Sequence, residues 1–306
     1  IILIKLISPN LIFIQTFQYS IIYLFVVIMY SITTTCGNIF TGLRKADMYL
    51  FQNILLTSRI IFLLPLISMG SLGIYSSMGL AYVFSSIFSL YSLEKLSGLN
   101  FRLDKRFIKN VFNFSFGNYL ANVFDMLPIL ILPILALNLL GEAESAKCFI
   151  AFAIGNIVLI VPDALSMSVL VEGSHGENVR NNVKKAGVTI YTFLVPAVLF
   201  LYVFGTFILS FFGENYIEAY QLLRLLILSS FFVVVYTLYK SIMNVDLKVK
   251  SVVKIVFLRF ILILGLSLIF IKEFGINGIG YAWISSHAML CLVIIFGKYK
   301  NVNFKK

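Results

Sequence analysis

The sequence predicts an all-α integral membrane protein, and three observations predict it. Hydrophobic residues make up 60% of the 306-residue chain and charged residues only 12%, with a mean hydropathy of +0.99. Soluble domains run nearer about 45–50% apolar and about 25% charged. The apolar residues fall in long unbroken runs, as a helix crossing a ~30 Å hydrocarbon core requires. They lack the period-two alternation of a transmembrane strand. Basic residues concentrate in every second loop between those runs, the mark of topology control.

The same loops bear on possible partners. A net charge of +11 would suit nucleic acid, but the basic residues sit in short connections between apolar runs rather than on one face or stripe. No nucleic-acid partner is expected. Cys36, Cys148 and Cys291 are scattered singly, and His175 and His287 fit no ligand spacing. Neither a disulfide framework nor a metal site follows, and no cofactor is expected. No secretory signal with a cleavage site is visible.

In chain order, residues Ile1 to Ile7 read as the tail of a span that begins upstream, closed by Ser8-Pro9-Asn10. Nine complete spans follow, at 18–40, 49–69, 72–93, 111–139, 148–170, 187–211, 219–241, 252–271 and 277–296. Gly, Pro, Asn and charge clusters separate them. Alternate loops hold Arg44 and Lys45, then Lys95 to Lys109, then Arg180 to Lys185, then Lys240 to Lys254, then the tail from Lys298: 18 basic residues. The opposite loops hold only Lys147 and Lys272, and carry the acids Glu142, Glu144, Glu214, Glu218 and Glu273. An 18-to-2 split places the first set, and the C-terminus, in the cytoplasm. The expected location is the cytoplasmic membrane.

Two stretches share one design. Tyr49 to Tyr82 carries Arg59 in an apolar run, then turns at Gly70-Ser71-Leu72-Gly73-Ile74. Lys250 to Trp283 carries Arg259, then turns at Gly275-Ile276-Asn277-Gly278-Ile279. Two such hairpins about 200 residues apart predict an internal duplication, a parallel repeat about an axis along the membrane normal. Residues 1–93 are then the closing part of a first bundle and 94–110 a basic cytoplasmic linker. Residues 111–306 form a second, six-helix bundle with a basic tail.

Charges within spans default to function because a charge at the bilayer centre costs about 2.5–3.5 kcal/mol. Arg59 and Arg259 are either a pair of cations facing each other across a cavity, or lysine-like snorkels to lipid phosphate. In the cavity role their planar forks suit a phosphate or pyrophosphate. Ser115, Asn118, Asn122 and Asp125 recur at +3, +4 and +3, so they share one helix face that lipid would not tolerate. Asn156, Asp163 and Ser166 repeat the pattern in the next span. Asp125 and Asp163 fall at similar depth. They form a proton or cation coupling site, a cavity lining, or interhelical packing. Pro128, Pro133 and Pro162 are placed to bend these helices, as are Pro65 and Pro196 elsewhere. Arg224, after Glu214 and Glu218, reads as a local ion pair or an interface snorkel, and His287 as a hydrogen-bonded packing residue. Gly173 and Gly176 flank His175 at a helix end as a stop or hinge.

No phosphate-cradling glycine loop, nucleophile elbow or metal-spaced set occurs, so no enzyme is expected. The basic loop, Arg-bearing span and Gly-x-x-Gly-Ile turn lead through the basic linker to Phe114-Ser115-Phe116-Gly117-Asn118-Tyr119. Then follow Pro162-Asp163-Ala164-Leu165-Ser166, Glu172-Gly173-Ser174-His175, Phe212-Gly213-Glu214-Asn215-Tyr216 and Leu222-Leu223-Arg224-Leu225-Leu226. This ordered set, over essentially the whole chain, resembles the polysaccharide (oligosaccharidyl-lipid) flippases of the multidrug/oligosaccharidyl-lipid/polysaccharide exporter superfamily.

The resemblance implies two pseudo-symmetric helical bundles around a central cationic cavity, with the first bundle incomplete here because its opening helices are absent. It implies alternating-access flipping of a polyprenyl-pyrophosphate oligosaccharide from the inner to the outer leaflet for surface polysaccharide synthesis. Arg59 and Arg259 would line the cavity with Asn118 and Asn122, and Asp125 and Asp163 would couple an ion or proton. Partners would be the polyprenyl-linked oligosaccharide, the lipid bilayer and polysaccharide-assembly proteins. The alternatives are a cation-coupled multidrug antiporter of the same fold, favoured by an excess of cavity acids, and a membrane-embedded glycosyltransferase or polymerase. The latter needs a large outer loop, and the outer loops are short.

Overall fold

The computed structural model describes residues 17–97 and 105–301, and among them every regular element is helical. The expectations for the partial span at Ile1 to Ile7, for residues 98–104 of the linker and for the tail beyond 301 lie outside the described residues. The chain divides into two compact units, 1–103 and 104–306.

In the first unit, α1 (Phe17–Gly42), α2 (Ala46–Thr57), α3 (Arg59–Leu66) and α4 (Ser71–Ser97) pack with α4 against the other three. The expected span at 49–69 is broken. α2 ends at Thr57, α3 starts at Arg59, and a 3₁₀ turn, Ile67–Met69, closes it. At the break the hydroxyls of Thr57 and Ser58 donate to the carbonyls of Asn53 and Leu55, a local competition with the backbone that bends helices. Gln52, 2% exposed, ties the unit together by donating to the Thr33 carbonyl of α1 at 2.6 Å.

The second unit holds α5 (Lys105–Leu140), α6 (Glu142–Ile157), α7 (Ile160–Ser174), α8 (Val179–Ser210), α9 (Tyr220–Val245), α10 (Val249–Phe274) and α11 (Ile276–Asn301). α9 is its axis, touching α6, α7, α8, α10 and α11. Leu222, Leu223, Ile227 and Val234 of α9 are wholly buried, as expected of a helix apolar on every side. α6 and α7 meet at 50°. Pro162 lies in the first turn of α7, where its missing N–H costs no helical bond. α5, by contrast, is one continuous helix through Pro128 and Pro133.

Eight helices, or helices joined across short breaks, are long and apolar enough to cross a membrane, and the α6–α7 pair makes a ninth if it is one span. The protein is a multi-pass membrane protein. The nine spans expected from sequence correspond to these segments.

The two hairpins share their turns in atomic detail. Gly70 has φ 60° and ψ −135°, and Gly275 has φ 57° and ψ −139°. A Cβ on Gly73 would stand 1.8 Å from the Leu66 carbonyl oxygen, and one on Gly278 2.3 Å from that of Phe270. Only glycine fits at either place. The turns entering the hairpins also match. Arg44 and Leu247 are left-handed, at φ 58° and 56°. The next residues, Lys45 and Lys248, donate N–H bonds of 2.8 Å to carbonyls five residues back, Phe40 and Met243. Arg44 and Leu247 bond three residues back, to Thr41 and Asn244. Each is a Schellman helix stop, with a non-glycine at the position glycine usually takes.

The arginines inside these matching frames are not equivalent. Arg59 lies 14 residues after Lys45 and 11 before Gly70, whereas Arg259 lies 11 after Lys248 and 16 before Gly275. Counted from the glycine turn, they differ by about 140° around the helix and about 7.5 Å along it. Each hairpin carries its one arginine, but the two stand at different registers of the shared frame.

Candidate functional site: an interior ion cluster and an open cationic cavity

The second unit buries a charged cluster drawn from four helices. α5 brings Asp125. α9 brings Tyr236 and Lys240, four residues apart on one face, and α11 brings Trp283 and His287 at the same spacing. α10 brings Arg259, whose side chain is 7% exposed. Arg259 Nη1 donates to Asp125 Oδ1 at 2.8 Å and to the Asp125 carbonyl at 3.2 Å. Lys240 Nζ meets Asp125 Oδ2 at 2.5 Å, and the Tyr236 hydroxyl donates to Oδ1 at 2.5 Å.

Behind the ion pair, Arg259 Nε donates to His287 Nε2 at 3.0 Å. A guanidinium has only donors, so Nε2 must accept, and the imidazole proton sits on Nδ1. Nδ1 then donates to the Trp283 carbonyl at 2.7 Å. His287 is thereby held neutral in one tautomer, as a hydrogen-bonded interior residue. The guanidinium carbon also lies 5.3 Å from the Tyr236 ring centre and 5.2 Å from that of Trp283, which adds cation–π attraction in a desolvated setting.

Exposure falls with depth in the cluster, from Lys240 at 27% to Asp125 at 16% and Arg259 at 7%. Two cations face one carboxylate. Buried pairs of this kind repay desolvation only when the remaining donors are satisfied, and here tyrosine, histidine and carbonyl partners satisfy several of them.

The first unit has a cavity of about 260 Å³ where α2 and α3 face α4. Arg59, Asn53, Thr57, Met78 and Tyr82 are among the residues that line it. Arg59 is exposed and has no ion pair or side-chain hydrogen bond among the described residues. Its guanidinium is open to an anionic ligand.

The structure brings together only part of what the sequence predicted. Asp125 and Arg259 meet directly. Asp163 is exposed and has no side-chain partner among the described residues, although Lys240, Asp125 and Arg259 all act on it electrostatically. Asn118 turns back to the Phe114 carbonyl of its own helix at 3.2 Å, and Asn122 is exposed. The polar stripe of α5 therefore divides, with Asp125 engaged inside and Asn122 at the unit's surface. Ser166 is buried with an unbonded hydroxyl.

Two expectations about the other charges are corrected. Lys240 belongs to α9 and the interior cluster, not to a loop. Arg224 takes neither Glu214 nor Glu218. It stacks on the rings of Tyr202, at 4.4 Å, and Tyr220, and bonds the Tyr202 hydroxyl. Glu218 pairs instead with Lys147 at 2.5 Å, beside Glu144 at 2.6 Å. Sequence reasoning missed Tyr236 and Lys240, and the available signal was a Tyr-x-x-x-Lys pair on the last turns of an apolar helix.

No protein-family model matches this chain, and no curated protein matches it. Solved structures do. An outward-facing multidrug-resistance MATE family transporter of the MOP superfamily superposes with a TM-score of 0.80 at 15% identity, over 98% of this chain and 73% of that one. A MATE transporter in the bent conformation gives 0.77 at 14% identity, over 92% and 69%. The lipid II flippase MurJ, inward closed, gives 0.60 at 14% identity, over 91% of this chain and 60% of the flippase. The fold is thus the helical one of MOP-superfamily transporters. It is shared by multidrug exporters and a lipid flippase alike.

Proposed function

We propose that the protein is a membrane transporter that moves an anionic, lipid-linked oligosaccharide across the bilayer by alternating access, with the pyrophosphate held by fixed cations. The observation that carries this choice within the fold is that Arg59, the cation on the first unit's cavity, has no carboxylate partner among the described residues. A cavity for cationic drugs would present a carboxylate there instead, since a charge taken out of water needs a partner of opposite sign. Arg59 offers a bidentate fork to phosphate. The bias of basic residues toward alternate loops supports a cytoplasmic C-terminus, and with it uptake of the head group from the inner leaflet of the cytoplasmic membrane.

A second reading is a cation-coupled antiporter. It draws on the higher structural similarity to the MATE transporters and on Asp163, a carboxylate within the span and without a side-chain partner among the described residues. Proteoliposomes separate the two. Translocation of a polyprenyl-pyrophosphate oligosaccharide, read by its accessibility to an external modifying reagent, should fall strongly in Arg59→Ala and in Arg259→Ala. Normal translocation by both variants would overturn the role given to the fixed cations, and gradient-driven dye uptake with no lipid movement would overturn the first reading in favour of the second.

A further inference from the structure

We propose that the Asp125 carboxylate is an internal placeholder for the substrate's anionic head group: it occupies Lys240 and Arg259 in the unloaded protein and is displaced when the head group binds. This rests on the anionic substrate proposed above and adds a named exchange step at the second unit's cluster.

The geometry points this way in three respects. First, the carboxylate presents its two oxygens to two cations, Oδ1 to Arg259 and Oδ2 to Lys240, as two oxygens of a phosphate would. Second, Arg259 is the most buried of the three and Lys240 the most exposed, with Asp125 bonded to both, so an anion arriving from the exposed side contacts Lys240 first and gains Arg259 Nη1 by replacing the carboxylate. Third, a single carboxylate touches both cations: among the described residues Asp125 is the only salt-bridge partner of Arg259 and of Lys240, while Asp163 acts on them electrostatically without contact. An anion with more than one negative charge would set a full charge against each cation. His287 is the positioning residue. Locked to the Trp283 carbonyl, it holds Arg259 by Nε and leaves the outer fork for exchange.

The idea predicts an effect of unusual sign. Removing a group from a binding site normally weakens binding; removing a competitor strengthens it. Farnesyl pyrophosphate serves as the probe, measured by calorimetry on the purified protein in nanodiscs. Asp125→Asn should bind it about tenfold tighter than wild type, and Lys240→Gln about tenfold more weakly. A wild type that binds while Asp125→Asn binds equally or more weakly would overturn the exchange and leave the proposed substrate standing. A wild type that does not bind the probe would overturn both. If Asp125→Asn does not fold, the wild type itself decides. Labelling of Asp125 by a water-soluble carbodiimide with glycine ethyl ester, mapped by mass spectrometry, should rise severalfold at saturating probe, because the displaced carboxylate leaves its two cations. Unchanged labelling would refute the displacement.

Discussion

The two hairpins are built on one frame and do different work with it. Both begin at a Schellman stop with a left-handed Arg44 or Leu247, and both turn at a glycine near φ 60°. Both need a second glycine under a carbonyl, at Gly73 and Gly278. Between those fixed ends the contents differ. Arg259 stands in an unbroken helix, buried, with a carboxylate, a histidine and two aromatic rings around it. Arg59 stands at a helix break, exposed on a cavity. What the two hairpins share is therefore the backbone of their turns, and the charges they carry differ in place and surroundings.

The largest expected effect tests that contrast directly. Arg259→Ala removes the buried partner of Asp125 and should cost about 3–5 kcal/mol of stability, the usual penalty for breaking a buried pair from one side. Arg59→Ala should cost no more than about 0.5 kcal/mol, because an exposed residue with no ion pair among the described residues contributes little. Thermal unfolding in one detergent compares them. Equal losses would break the contrast and make Arg59 a structural residue. The Arg259→Ala, Asp125→Ala double variant sharpens it, since removing both charges should recover much of the loss.

A middle-sized effect tests what the hairpins share. Gly73→Ala and Gly278→Ala each place a methyl within 2.3 Å of a backbone carbonyl atom. The turn has to open in both cases, so each should lose about 1–3 kcal/mol, the cost of overpacking against groups that cannot yield. Similar losses at both positions would support one frame. A silent change at either, measured by the same unfolding assay, would show that its turn is loose and the match superficial.

Much of this frame was legible in the sequence, because apolar runs and glycine punctuation are local signals. The spans follow from hydropathy, and the Gly-x-x-Gly-Ile repeat predicted two like turns. The cluster was only half legible. Asp125 and Arg259 announced themselves as charges deep in apolar runs. Lys240 did not, because a lysine five residues from a helix end looks the same in sequence as one in the loop beyond it. Its direction is decided by Tyr236 and Asp125, which only packing brings near. The false equivalence of Arg59 and Arg259 has a similar origin. Both are lone arginines in apolar runs, but the first hairpin is two residues shorter between its fixed turns and broken at Ser58. Register, not composition, separates them.

The smallest expected effect lies at the stops that open both hairpins. A left-handed residue with a Cβ costs roughly 1–2 kcal/mol, and glycine returns about 0.5–1 kcal/mol of that as lost chain entropy. Leu247→Gly should therefore stabilise the protein by up to about 1 kcal/mol. Its side chain is 70% exposed, so little packing is lost with it. Arg44→Gly should give the same sign. Its guanidinium has local interactions to lose, so the gain there should be the smaller of the two. Unfolding midpoints of the two single variants and the double variant would test this, with additive gains expected if the two stops share no partners. Destabilisation by Leu247→Gly would mean that the second stop is held by its side chain rather than by its backbone, and the likeness of the two frames would then end at the glycine turn.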